Sequence, residues 1–260
     1  MPIEQQLLST AIEAAQQAGQ VLVHHWPNGR TITRKGYRDI VTDADTAAED
    51  VILNTIRARF PEHAIISEEA GGDQIGDNYT WIIDPLDGTT NYAHRAPIFA
   101  VSIGVLEKDE PLIGVVHDPL RNHTFVAKRG QGATLNGASI RVSNVTRLGE
   151  AVVGLDWGRS NEIRERVLEY LHHIVVHCGT LRGVGSATLT LAYIATGWLD
   201  AYFHLAIRPW DAAAGVLLIT EAGGRCTTLE DEPYRVDSPA CLMSNGLIHT
   251  ELLGVMHNTS

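Results

Sequence analysis

The chain has 260 residues, of which 44% are hydrophobic and 20% charged, and it carries 20 basic against 31 acidic residues for a net charge of −11. This composition is typical of globular proteins and excludes a disordered chain, while the length predicts one large domain or two small ones. The acidic balance argues against a protein that binds the nucleic-acid backbone through a basic surface.

The first half of the chain predicts two helices followed by strands. Apolar residues recur at helical spacing over residues 5–24 and 43–60, and the polar, basic segment 29–39 between them predicts a loop or hairpin. Segments rich in β-branched or aromatic residues then predict five strands, at residues 63–67, 80–84, 99–106, 111–118 and 123–128. Hairpin turns are expected at 130–132 and 136–137.

Helices and strands alternate after about residue 143. Strands are predicted at residues 151–155, 200–207 and 241–244, and helices at 162–176, 185–196, 210–222 and 247–256. This alternation predicts an α+β fold of layered helices and sheets. The change in character predicts two sheet-containing lobes, residues 1–143 and 144–260, with the active site between them.

Neither a membrane segment nor disulfide chemistry is expected. No apolar run approaches the roughly 18 residues that span a bilayer, and the polar start of the chain lacks the basic region and apolar core of a signal peptide. The three cysteines, Cys178, Cys226 and Cys241, form no CxxC pair, so a disulfide scaffold or a cysteine zinc site is not expected. We therefore expect a cytoplasmic protein.

The segment Asp84-Pro85-Leu86-Asp87 carries the strongest chemical signal. Asp84 follows an apolar strand, Pro85 is expected to end that strand because it cannot donate to the ladder, and Asp87-Gly88 has turn chemistry. Two acids three residues apart across a proline turn can aim at one point, where the Leu86 carbonyl can join them. Such oxygen ligands suit Mg²⁺ or Mn²⁺. The alternative is an Asx-turn that caps the following segment.

Further acidic residues lie at the ends of predicted elements. Glu68 and Glu69 follow a strand, Asp43 and Asp45 precede a helix, and Asp211 opens a later helix. For the aspartates, the alternative is helix capping and a favourable interaction with the helix dipole. Two carboxylates about 4 Å apart repel by on the order of 4 kcal/mol at an effective dielectric near 20. A cluster of four or five would therefore need metal ions, although convergence does not follow from these positions alone.

Five motifs, taken in order, resemble those of the inositol monophosphatase family of metal-dependent, lithium-sensitive phosphatases. They are Asp39-Ile40-Val41-Thr42-Asp43-Ala44-Asp45, Ser67-Glu68-Glu69, Asp84-Pro85-Leu86-Asp87-Gly88-Thr89-Thr90-Asn91, Gly185-Ser186-Ala187 and Trp210-Asp211-Ala212-Ala213-Ala214-Gly215. The resemblance runs from Lys35 to Gly224. It implies an αβαβα layered fold, a homodimer and two or three bound Mg²⁺ ions, which Mn²⁺ could replace.

The resemblance also implies three sets of site residues. The implied metal ligands are Glu68, Asp84, the Leu86 carbonyl, Asp87 and Asp211. The residues that would orient and activate the attacking water are Glu68, Asp45 and Thr89. The implied substrate pocket contains Asp87, Gly88, Thr89, Gly185, Ser186, Ala187 and Asp211. No covalent nucleophile is expected, since two metals can stabilise the attacking and leaving oxygens of an in-line displacement, and the chain has neither a Gly-x-Ser-x-Gly elbow nor a P-loop ending.

His204 bears on the choice of substrate. The family often has a glutamate here that contacts sugar hydroxyls. A neutral histidine both donates and accepts hydrogen bonds, whereas a protonated one would favour a second phosphate. His204 is therefore a candidate substrate contact, and the alternative is a half-buried histidine of a strand.

The leading hypothesis is a Mg²⁺-dependent phosphatase that acts on inositol monophosphate or a similar small phosphorylated polyol. The continuation Thr89-Thr90-Asn91-Tyr92-Ala93-His94 resembles the inositol phosphatase branch of the superfamily. Two alternatives stay open. One is fructose-1,6-bisphosphatase activity, alone or as a dual activity, and the other is a regulatory binding protein on the same fold.

Overall fold

Five alternating layers of helices and sheets build the fold, and the computed structural model describes residues 1–26, 31–72, 74–76 and 78–257. The helices are α1 (Ile3–His25), α2 (Asp43–Arg57), α3 (Thr89–Ala93), α4 (Asn161–Ile174), α5 (Ala187–Ala195), α6 (Pro209–Glu221) and α7 (His249–His257). The first strands are β1 (Ile32–Gly36), β2 (Asp39–Thr42), β3 (Ala64–Ser67), β4 (Tyr79–Asp87), β5 (Ala100–Glu107), β6 (Glu110–Asp118) and β7 (His123–Lys128). The later strands are β8 (Ala133–Leu135), β9 (Ala138–Ile140), β10 (Val152–Leu155), β11 (Thr180–Arg182), β12 (Ala201–His204), β13 (Arg225–Thr227) and β14 (Cys241–Ser244).

These strands form a hairpin and two sheets. β1 and β2 pair with each other, and β3 to β9 form a seven-stranded sheet in chain order, in which β3–β4 is the parallel pair. The second sheet has the order β11-β10-β12-β14-β13, with β10 parallel to both of its neighbours. The first sheet ends at residue 140 and the second begins at 152. The division at residue 143 falls between them and stays a prediction.

Helices α1 and α2 cover one face of the seven-stranded sheet. α1 buries Leu7, Ala11, Ala15 and Leu22 completely, which follows from their helical spacing on one face. On the outer face of the second sheet, α4 and α7 close a separate apolar cluster around β10, β12 and β14. These two outer layers leave α5 and α6 to fill the space between the sheets.

Helix α6 lies directly on the seven-stranded sheet. A Cβ added at Gly104 would lie 2.7 Å from the Cβ of Ala213, and one added at Gly114 would lie 2.6 Å from the carbonyl oxygen of Ala214. Residues 212–219 are all buried, because this helix has layers on both sides. The close approach fixes the N-terminus of α6, which carries Asp211, against the sheet.

The predicted α+β layered fold is confirmed, with corrections at short elements and at Pro85. Five short elements have no signal in the sequence, each of at most five residues: α3, β8, β9, β11 and β13. Strand β4 does not end before Pro85 as expected. It continues to Asp87 with a shift of register after Asp84, and this irregularity accommodates the missing proline donor. Residues 29 and 30 of the predicted hairpin lie outside the described residues.

Within the described part of the chain, no helix combines the length and apolar character that a membrane span requires. The longest, α1, has 23 residues but carries a polar and partly exposed face. This finding agrees with the absence of a long apolar run in the sequence.

Candidate active site

Three carboxylates converge where β4 ends and α6 begins. Asp84 and Asp87 lie on the last part of β4, Asp211 lies in the first turn of α6, and one oxygen from each lies within 4.8 Å of the others. Asp84 is only 1% exposed. The Leu86 N–H donates to Asp84 Oδ1 at 3.0 Å, so the proline turn itself fixes this carboxylate. The expected convergence of these three acids is therefore present.

Asp87 is held by the N-terminus of α5. Its Oδ2 accepts hydrogen bonds from the Ser186 hydroxyl, from the Thr188 N–H at 3.0 Å and from the Thr188 hydroxyl at 2.7 Å. The Ala187 N–H donates to Oδ1 at 3.3 Å. Ser186 and Ala187, for which the family resemblance implies a place in the substrate pocket, thus contact a carboxylate, and their part in substrate binding stays a prediction. The role of Thr188 has no signal in the sequence, because its hydroxyl bonds to Asp87, which lies 101 positions away.

Asp45 joins the N-terminus of α2 to the turn after β4. Its Oδ2 accepts from the backbone N–H and the hydroxyl of Thr42, at 2.9 and 2.6 Å. Its Oδ1 accepts from the Thr89 hydroxyl at 3.3 Å, and that hydroxyl also lies 3.0 Å from the Leu86 carbonyl. Asp45 therefore caps α2, as the alternative interpretation predicts. Capping does not conflict with a role in the site, because Oδ2 bonds to Thr42 and Oδ1 bonds to Thr89.

Asp211 shows the same double use. Its Oδ2 accepts from the Arg208 N–H at 3.0 Å, as a helix-capping acid does. Two helices thus direct their N-terminal ends at the cluster, α5 through Asp87 and α6 through Asp211. The positive ends of their dipoles stabilise negative charge there.

Glu68 lies beside the cluster. Its N–H donates to the Ile83 carbonyl at 3.1 Å, which keeps it next to β4, and its Oε1 accepts from Arg159 at 3.2 Å. Burial raises the pKa of Asp84 well above its usual range, and the charge of Glu68 is the next contribution in the same direction. Burial, followed by the charge of Asp87, does the same for the pKa of Asp211.

The backbone between Asp87 and α3 approaches the loop before α5 too closely for a side chain. Gly88 has φ +87°, and a Cβ there would lie 2.9 Å from the Ile98 carbonyl and 3.2 Å from the Gly185 carbonyl. Asn91 Nδ2 lies 3.0 Å from the carbonyl oxygens of Val184 and Gly185. Gly88 and Gly185 therefore lie next to each other, as the family resemblance implies, and Asn91 holds the loop before α5 through its hydrogen bonds to Val184 and Gly185.

Comparison with known proteins decides the family. A sequence model of the inositol monophosphatase family matches residues 3–259. The chain belongs to the inositol monophosphatase family. It is 42% identical over 223 residues to Nus factor SuhB of Salmonella typhimurium, which covers 84% of this chain and 83% of that protein. It is 40% identical over 249 residues to the inositol-1-monophosphatase of Synechocystis, which covers 94% and 86%.

The fold gives the same assignment. The IMPase of Thermotoga maritima superposes with a TM-score of 0.89 at 36% identity, over 96% of each chain. The protein is accordingly an inositol monophosphatase family phosphatase, and the family is metal-dependent.

The carboxylates of this phosphatase fit a divalent cation. Asp84, Asp87 and Asp211 supply oxygen ligands from within 4.8 Å of one another, the ligand type that Mg²⁺ and Mn²⁺ prefer. Burial and mutual repulsion raise the pKa of Asp84 and Asp211, and a nearby cation would relieve both effects. The arrangement can therefore hold metal.

The opposite wall of the site comes from β10, β12 and the loop after β10. Burial and the charge of Arg159 together lower the pKa of His204 to about 4, so the ring is neutral at pH 7. His204 Nδ1 accepts from the Ala206 N–H at 2.9 Å, which leaves its proton on Nε2. The side chain is 8% exposed. His204 therefore offers a hydrogen-bond donor but no positive charge for a second phosphate.

Asp156 and Tyr202 complete this wall. The Tyr202 hydroxyl donates to Asp156 Oδ2 at 2.9 Å. Burial, with the charge of Asp87 acting in the same direction and the hydrogen bond from Tyr202 opposing it, raises the pKa of Asp156 to about 7. The sequence offers no motif for this pair, because β10 and β12 become neighbours only in the folded sheet.

Proposed function

We propose that this phosphatase hydrolyses inositol monophosphate, or a similar small phosphorylated polyol, by direct attack of water and without a covalent intermediate. The observation that supports this most is the convergence of Asp84, Asp87 and Asp211 at helix N-termini. Such a site combines carboxylates for metal with backbone donors for a phosphate. The relatives named inositol monophosphatase make a polyol phosphate the favoured substrate.

Five residues would hold two or three Mg²⁺ ions: Glu68, Asp84, Leu86 through its carbonyl, Asp87 and Asp211. When bound, such ions neutralise phosphate charge and favour ionisation of water. Within the chain, Thr89 would orient the attacking water with its hydroxyl, since that group already lies between Asp45 and the Leu86 carbonyl. Asp45 would fix the direction of the Thr89 hydroxyl, and Glu68 would accept a hydrogen bond from the water.

The phosphate would bind over the turn at Gly88 and Thr89, against the loop Gly185-Ser186-Ala187. The positive φ of Gly88 brings backbone donors to this point without a side chain in the way. His204 would donate from Nε2 to a substrate hydroxyl. A neutral donor suits a polyol hydroxyl better than a second phosphate, so His204 supports the proposal of inositol monophosphate over fructose 1,6-bisphosphate.

Further properties of the proposal come from the family resemblance alone. They are a homodimer, inhibition by lithium and a cytoplasmic location. A regulatory binding role is the second candidate function, because the chain is 42% identical to a protein named Nus factor SuhB. A protein that only binds would not need the acidic cluster. A binding role would therefore exist beside the phosphatase activity.

The test is phosphate release with Mg²⁺ and with EDTA on a panel of substrates. The panel contains inositol 1-phosphate, fructose 1,6-bisphosphate, adenosine 3′,5′-bisphosphate, histidinol phosphate and glycerol 2-phosphate. We expect Mg²⁺-dependent turnover that is highest on inositol 1-phosphate. Highest turnover on fructose 1,6-bisphosphate would favour the alternative substrate. No turnover from folded protein that binds Mg²⁺ would refute the proposed substrate class and favour the binding role.

A further inference from the structure

Arg159 belongs to none of the residue sets above, yet it contacts one of the proposed metal ligands. It lies on the loop between β10 and α4. Its Nη1 donates to Asp39 Oδ2 at 2.8 Å and its Nη2 donates to Glu68 Oε1 at 3.2 Å. These partners are 120 and 91 positions away in the sequence. One guanidinium thus joins the second half of the chain to two acids of the first.

The loop that carries Arg159 is held in place from the other side. Arg38, between β1 and β2, donates from Nη1 to the Arg159 carbonyl at 3.1 Å and to Asn161 Oδ1 at 2.9 Å. The β1–β2 hairpin and the loop between β10 and α4 are therefore joined by hydrogen bonds in both directions. A guanidinium on a fixed loop, with two carboxylates as partners, is a more ordered arrangement than an isolated surface ion pair.

In the described part of the chain, Arg159 is the cation that lies within hydrogen-bond distance of the Glu68 carboxylate, at 3.2 Å. Lys35 instead pairs with Glu69, at 2.6 Å. The Glu68 side chain is only 12% exposed, so water solvates its carboxylate poorly and the contact with Arg159 supplies a neighbouring positive charge.

We propose that Arg159 is the resident counter-cation of Glu68 and that it competes with the divalent ion for this carboxylate. The inference rests on the proposed function, because it takes Glu68 as a metal ligand. A guanidinium and a divalent ion at one carboxylate repel each other. The effect is reciprocal, so Arg159 weakens metal binding by the factor by which the metal weakens the contact between Arg159 and Glu68. When the divalent ion binds Glu68, Asp39 remains as a hydrogen-bond partner of the Arg159 guanidinium.

The test is the dissociation constant of Mg²⁺, measured by calorimetry on the wild-type chain and on Arg159→Gln. We expect the variant to bind Mg²⁺ about 5-fold more tightly or better, the lower end of typical coupling between sites. In EDTA the variant should melt at a lower temperature than the wild type, because Glu68 loses its cation. Saturating Mg²⁺ should reduce this difference. Arg166→Gln removes the same charge from an exposed position of α4 and should leave the dissociation constant unchanged.

An equal or larger dissociation constant in Arg159→Gln overturns the inference. Should that variant not fold, Arg38→Gln serves instead, since it releases the loop and leaves Arg159 in the chain; tighter Mg²⁺ binding is again expected, and unchanged binding contradicts the proposal. A wild-type chain that binds no Mg²⁺ would refute the proposed function together with this inference. A wild type that binds Mg²⁺ and hydrolyses phosphate, with variants of equal affinity, would refute this inference alone.

Discussion

Asp84 is a residue at which stability and activity have opposite requirements. It is almost completely buried, and the charges of Glu68, Asp87 and Asp211 all raise its pKa. An uncharged isostere should therefore stabilise the metal-free chain while it removes a proposed metal ligand. Strained charge clusters of this kind are typical of catalytic sites.

Asp84→Asn tests this opposition. The amide keeps an oxygen that can accept from the Leu86 N–H, so the turn can stay intact. We expect kcat to fall by several orders of magnitude, and we expect Tm in EDTA to rise, by about 2–4 °C for each kcal/mol of repulsion that is relieved. The measurements are Mg²⁺-dependent phosphate release and thermal unfolding in EDTA. Turnover close to wild type would contradict the assignment of Asp84 as a metal ligand.

His204 allows a test of substrate choice at a single side chain. In His204→Glu a carboxylate replaces a neutral donor, so it should accept from a polyol hydroxyl and repel a second phosphate. We expect the ratio of kcat/KM for inositol 1-phosphate to that for fructose 1,6-bisphosphate to increase. His204→Gln, of similar length and neutral, separates charge from shape. If both variants keep the wild-type ratio, this residue does not contact the distinguishing part of the substrate.

At the scale of elements, predictability depended on length and on the distance between partners. Helices α1 and α2 follow from their apolar period alone, whereas three-residue strands such as β8 and β11 exist only because neighbouring strands pair with them. The site divides in the same way. Asp84 and Asp211 lie at ends of apolar elements and are visible in the sequence, but the contacts of Arg159 and Thr188 bridge 91 or more positions and have no local signal.

The contact between α6 and the sheet gives a prediction for an element. In Gly114→Ala the new Cβ would lie 2.6 Å from the Ala214 carbonyl oxygen, so α6 has to move away from β6 and take Asp211 with it. We expect a loss of about 1–3 kcal/mol of stability, typical of overpacking, and weaker Mg²⁺ binding. Denaturant unfolding and calorimetry measure the two effects.

Gly254→Ala provides the matched control. This glycine lies within α7, and a Cβ there has nothing within 4 Å. The substitution should stabilise the chain by about 0.5–1 kcal/mol, since alanine is the better helix former, and should not change Mg²⁺ binding. Equal effects of the two substitutions would show that the approach of α6 to the sheet does not position Asp211.

In the whole molecule, the candidate site and the buried contacts of α7 lie in different parts of the five-layered fold. The acids lie where β4 meets the N-termini of α2, α5 and α6, while α7 and the far edge of the second sheet hold a buried polar group of their own. There His249 is fully buried, with Nε2 2.9 Å from the Thr227 hydroxyl and Nδ1 2.8 Å from the Ser244 hydroxyl. This ring joins α7 to β13 and β14, and His249 is not one of the residues of the candidate site.

His249 predicts a pH dependence of global stability. Burial and the charge of Arg225 lower its pKa to about 4, against the opposing charge of Asp231 at 3.8 Å, whereas the pKa is about 6.5 in an unfolded chain. A depressed histidine pKa means that the unfolded state binds the proton first. Stability is therefore fully present above about pH 6.5 and decreases as the pH falls toward 4, by up to about 3 kcal/mol for this one group.

The variant His249→Gln isolates this contribution from that of the acidic cluster. Carboxylates with raised pKa act in the opposite direction, because protonation of the folded state stabilises it as the pH falls, and they are the same in both proteins. The free energy of unfolding, measured in EDTA at pH 7 and at pH 4.5, should decrease more in the wild type than in the variant. Parallel decreases in the two proteins would mean that His249 is protonated as readily in the folded chain as in the unfolded one, and that acid sensitivity arises elsewhere in the layers.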